Sequence, residues 1–88
     1  MHSAIFYAKP TSHREKWEEF LRVVDHQIAK DKNVVRLAEN VWLQNVRESP
    51  SALGYLIGFA DRSGLPYGIL PFEREPVWLP ASFDPRTS

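Results

Sequence analysis

The side chains able to do chemistry are few and set apart. Histidine stands only at 2, 13 and 26. His13 and His26 fall near the two ends of one expected helix, about 20 Å apart at a rise of 1.5 Å per residue. No His-x-x-x-His pair and no His–carboxylate set at ligand spacing accompanies them, so they read as solvated and no metal residue is assigned. "ADRSG", residues 60 to 64, holds Asp61, Arg62 and Ser63, but a nucleophilic serine needs a base and no His is close in sequence. It reads as a solvated helix end. Glu18–Glu19 and Glu73/Glu75 pair carboxylates at adjacent or alternate positions, which diverge on a helix or strand, so general acid–base work has no support. Neither a Gly-x-Gly-x-x-Gly run nor a phosphate loop occurs. The chain has no Cys, which excludes disulfides, thiolate metal sites and thiol nucleophiles. No catalytic, cofactor-binding or metal-ligating residue is therefore expected, and the chain is read as not an enzyme.

One anion-binding arrangement can be drawn. Lys9, His13, Arg14 and Lys16 gather at the start of the first expected helix, whose free N–H groups attract negative charge. Glu15, Glu18 and Glu19 among them weaken the field. Lys9, His13 and Arg14 are the candidate anion contact, with nucleic acid the lesser alternative: eleven basic residues balance eleven acidic ones, leaving no net field.

Eighty-eight residues make one domain with a modest core, and 43% hydrophobic with 25% charged residues is an ordinary globular composition. "MHSAIFYAKP" lacks the basic lead and apolar core of a signal peptide. "LGYLIGFA" is short of the roughly 20 residues of a membrane span. With no Cys, these features suit a soluble, cytoplasmic protein without a membrane partner.

The positioning elements follow from periodicity. Residues 3 to 9 read as a strand ending at Pro10. Residues 11 to 32 read as an amphipathic helix with Trp17, Phe20, Leu21, Val24 and Ile28 on one stripe, Ser12 as N-cap and Glu15 completing a capping box. "NVVRLAENVWLQNV" reads as strands over about 34–38 and 41–46, turning at Glu39–Asn40, with Asn suited to a left-handed turn. Residues 48 to 64 read as a second helix, with Ser49 as N-cap, Pro50 at the first position and Gly64 as a left-handed stop. A last strand follows in "LPYGILPFE", where Pro66 and Pro71 argue for an edge. The order is βαββαβ, the ferredoxin-like pattern: an α+β fold with a four-stranded antiparallel sheet and two helices on one face. Residues 1–73 make that domain, and residues 74–88 a Pro-containing extended tail docked on a sheet.

Leu37, Ala38, Glu39, Asn40, Val41, Trp42 and Leu43 occupy the place of a hairpin written roughly L-x-S-x-W-x. With the leading strand, long helix, second helix and closing strand, the chain resembles the small CRISPR-associated spacer-acquisition subunit, SinR-like proteins and the GhoS-type antitoxin. The nuclease members carry an Asp at the end of the first strand, where this chain has Ala8 and Lys9. The resemblance thus implies a relative without the metal-dependent activity, and it implies dimers that pair through strands near the C-terminus.

Apolar residues exceed what one helix-covered face can hide. Trp42 is expected to pack toward the helices, leaving Val41 and Leu43 on the other face, to be covered by a partner or the tail. On the second helix, Leu53, Leu56, Ile57 and Ala60 form the core stripe and Tyr55 and Phe59 widen it, giving a candidate protein interface. In the tail, Val77, Trp78 and Leu79 lie between Pro76 and Pro80, with Trp78 expected to anchor a short added strand across a two-fold dimer rather than within one chain. The resulting expectation is a non-catalytic homodimeric binding protein of antitoxin, inhibitor, immunity or adaptor type, with a protein partner and no cofactor. The alternatives are a nucleic-acid-binding or nuclease-like protein of the resembling family, and a small-molecule module whose sheet face lines a cleft with Phe6, Tyr7 and Trp42.

Overall fold

Strand β1 (Ser3–Ala8) lies inside the sheet, paired antiparallel on one side with β3 (Val41–Asn45) and on the other with β4 (Tyr67–Phe72). In the computed structural model, which describes residues 1–85, helix α1 (Arg14–Ile28) follows β1, β2 (Val34–Ala38) precedes β3, and α2 (Pro50–Arg62) leads into β4. The sheet order is β2-β3-β1-β4 with every neighbouring pair antiparallel, the ferredoxin-like arrangement expected from the element order.

Strict alternation sorts the two faces. Ala4, Phe6 and Ala8 of β1 and Trp42 and Gln44 of β3 are buried beneath the helices. Helix α1 contributes Trp17, Phe20, Val24 and Ile28, and α2 contributes Ala52, Leu53, Leu56 and Ala60. Phe6 sits opposite Trp42 in the register, their rings 6.1 Å apart, and the Phe20 ring meets Trp42 edge-on at 5.9 Å. Trp42 therefore packs in the core. Its outer edge is closed by Arg36, whose guanidinium lies 5.5 Å from the ring centroid and reaches both the Asp25 carboxylate and the Glu39 carbonyl. Trp17 donates its indole N–H to Glu39 Oε1 at 3.2 Å, fastening α1 to the β2–β3 turn.

Helix α2 ends as expected. Gly64 has φ +67°, its N–H reaches the Asp61 carbonyl, and the Leu65 N–H reaches the Ala60 carbonyl. This is the paired bonding of a Schellman cap, which leaves Leu65 buried.

Three local expectations need correction. The capping box does not form: α1 starts at Arg14 with His13 as N-cap and no side-chain cap bond, so Ser12 lies one residue too early. The Glu39–Asn40 turn uses no left-handed residue, since no residue other than glycine has positive φ among those described. A register shift between Arg36 and Ala38, one extra residue on β2, supplies the bend instead. Ser49 does stand at the N-cap of α2, but its hydroxyl makes no cap bond and donates to Asp31.

Candidate interaction surface

The sheet face turned away from the helices carries a continuous aliphatic row. Val35 pairs with Leu43, Leu43 with Ile5, and Ile5 with Leu70, so one side chain from each strand lines up across the sheet. Antiparallel neighbours directly opposite lie about 5 Å apart at Cβ, which places these four in one stripe. Tyr7 flanks the row beside Val41 and Gly68.

The tail roofs one end of this stripe. Trp78 and Phe83 meet edge to face at 5.2 Å and stand across a cleft of about 260 Å³ from Val35 and Leu43, with His2, Asn33 and Asn45 at its rim. Val77 and Leu79, on either side of Trp78, are 76% and 89% exposed. Within the chain, then, Trp78 turns to the sheet and its neighbours turn to solvent. Within the single chain the described part of the tail forms no strand, and a turn with the Phe83 N–H on the Pro80 carbonyl follows Leu79. Residues 86–88, the end of the expected tail segment, lie outside the described residues.

At the other end the stripe is open. Leu70 is 58% exposed and Tyr7 is exposed on the same face, while Tyr67 and Ile69, opposite Ala8 and Phe6 on the helix-facing side, are exposed at the strand edge. Strand β4 is a free edge. The Lys9 N–H bonds the Pro66 carbonyl, so by ladder parity residues 68, 70 and 72 bond to β1 while Tyr67, Ile69 and Pro71 turn their backbone groups outward. Pro71 therefore stands where its missing N–H takes nothing from the ladder. Burial, then the Asp61 carboxylate beside it, push the Tyr67 phenol above its ordinary value, and its ring stacks on Phe6 at 5.3 Å.

On the helical side, Tyr55 and Phe59 stack at 6.1 Å and 11°, as their i,i+4 spacing suggested. They part company in burial: Phe59 packs against the core and Tyr55 is 45% exposed. The Arg62 guanidinium lies 5.7 Å from the Phe59 ring centroid. Lys9, His13 and Arg14 are all exposed, and the Arg14 Nε is engaged by Glu18 at 2.9 Å. The Phe6–Tyr7–Trp42 cleft is corrected, because Phe6 and Trp42 face the core while Tyr7 faces the opposite side.

Comparison with protein families, curated proteins and solved structures finds no match. Among the described residues, no group of three His, Asp or Glu side chains could hold a metal ion, and no helix is long and apolar enough to cross a membrane. What the arrangement offers physically is apolar contact area and a strand edge. Two of its residues were missed from sequence. Leu70 and Ile69 looked like ordinary strand residues, and only their place on an edge strand distinguishes them.

Proposed function

We propose that this protein is a small non-catalytic binding protein that pairs with a second copy and acts through protein–protein contacts, as an antitoxin, inhibitor, immunity or adaptor protein does. The observation carrying this reading is the β4 edge, where Tyr67, Ile69 and Leu70 remain exposed. Soluble proteins blunt such edges with charge, proline or a covering element. Strand β4 has no charged residue, and only Pro71, near its end, interrupts the outward donors. Burying each large apolar side chain contributes about 1.5–3 kcal/mol, and main-chain pairing supplies direction. The tail side chains Val77 and Leu79 add to the surface a partner can use. The resemblance to the spacer-acquisition subunit and the GhoS-type antitoxin agrees with a dimer, and Ala8 and Lys9 at the end of β1 agree with the loss of metal chemistry.

Light scattering across a concentration series tests the reading. The full chain is expected at twice its monomer mass, and Leu70→Lys, which places a charge on the open face of the edge strand, is expected at the monomer mass with an unchanged helical spectrum. A full chain that stays monomeric at every concentration overturns the self-pairing.

A further inference from the structure

The groove between α1 and α2 holds the second surface of note. Val23 of α1 and Phe59 of α2 form its floor, and two adjoining clefts, about 170 and 390 Å³, share these residues and Arg62. Lys16, Arg22, His26 and Arg62 stand around it, with Glu19 as the acidic member. Met1–Glu73, Arg14–Glu18 and Arg36–Asp25 are ion-paired, and Lys16, Arg22 and Arg62 belong to none of these pairs. In a chain with zero formal net charge, three permanent cations thus collect beside an apolar floor lined by one carboxylate, Glu19. Tyr55, stacked on Phe59 and exposed, extends the floor along α2.

We infer that this groove docks an acidic segment of a protein partner, its carboxylates held by Arg22 and Arg62 and an apolar side chain seated on Val23 and Phe59. The inference rests on the protein-binding reading above and names the partner's chemistry. Planar guanidinium groups match carboxylates two bonds at a time, and a partly desolvated floor strengthens each such pair. The same features disfavour nucleic acid. Affinity for a phosphate backbone grows with the number of cations tracking it, and here there are few, with Glu19 set among them.

An NMR titration of the full chain with three probes decides it: a short peptide alternating Glu and Leu, the same peptide with Gln for Glu, and a single-stranded DNA oligonucleotide. The Glu peptide is expected to shift the Nε–H signals of Arg22 and Arg62 and the amides of Val23 and Phe59, more weakly as salt rises. Arg22→Glu with Arg62→Glu is expected to lower that affinity about tenfold or more, and Arg22→Lys with Arg62→Lys to lower it less, since an ammonium keeps the charge but not the paired bonds. Equal binding of the Gln peptide, no groove shift with either peptide, or tighter binding of the DNA at the same signals overturns the inference. If Tyr55→Ala removes binding and the charge reversal does not, contact through the helical face stands and its acidic specificity falls. The self-pairing of β4 is read separately, by mass.

Discussion

The Ser49 hydroxyl donates to the Asp31 carboxylate, tying the residue that opens α2 to the loop that closes α1. The Asn33 N–H reaches the other side of the same carboxylate at 2.9 Å. The bond from Ser49, foremost, and those from Asn33 hold Asp31 below its ordinary range, against a smaller opposing push from burial.

A carboxylate whose folded value is depressed adds stability above its unfolded value, near 3.8, and that stability fades as pH falls through the folded value. Ser49→Ala is therefore expected to lower stability at neutral pH by about 1–2 kcal/mol. The gap between variant and parent should narrow below about pH 4. Urea unfolding at neutral and acidic pH, with a carboxyl titration of Asp31 by NMR, checks both parts; a gap that widens in acid would be the wrong sign.

Gln44 is fully buried on the core side of β3, opposite Ala4 and Val34. Its amide nitrogen donates to the Trp42 carbonyl at 3.4 Å, and Oε1 has no partner among the described residues. An unsatisfied buried acceptor costs roughly 1–3 kcal/mol. Gln44→Met, similar in shape and without that oxygen, should raise stability by about 1 kcal/mol. A lower urea midpoint for the variant contradicts this.

Gly54 and Gly58 lie in α2 with solvent-facing positions, and an added Cβ would meet nothing within 4 Å at either. Each Gly→Ala exchange should stabilise by about 0.5–1 kcal/mol, because alanine loses less backbone freedom on folding. Gly64 is the contrast. Space surrounds it too, yet its φ of +67° penalises a side chain, and Gly64→Ala should destabilise by about 1 kcal/mol. Thermal melts of the three variants should separate by sign.

Trp78 faces the sheet across its cleft while Val77 and Leu79 do not. Trp78→Ala should loosen the tail and speed tryptic cleavage at Arg74 severalfold, while Leu79→Ala should leave the rate unchanged. Equal rates for parent and both variants would remove Trp78 as the anchor.

The order of elements and the inward stripes were legible because period is a local property. Trp17, Phe20, Val24 and Ile28 recur every three or four residues and all proved buried, and Leu53, Leu56 and Ala60 did likewise on α2. Gly64 was legible for the same reason, since a left-handed stop is decided by one residue's backbone. The caps failed by small margins. Whether Ser12 or His13 opens α1, and whether Ser49 turns to its own helix or to Asp31, depends on competing partners of similar strength, one of them 18 residues away in the chain.

What sequence alone determined is therefore which residues pair with which face: helical period and strand alternation follow from backbone geometry and need no neighbour. Which apolar residues stay exposed was decided only by the tertiary structure. Leu70 and Leu43 belong to one aliphatic row, yet β4 fell at the edge and β3 inside, so Leu70 lies open while Leu43 lies under the tail. Arg22 and Arg62 are 40 positions apart in sequence, and nothing local joins them. They share a groove because two helices must lie side by side to cover one sheet face, and burial of the common core fixes that packing.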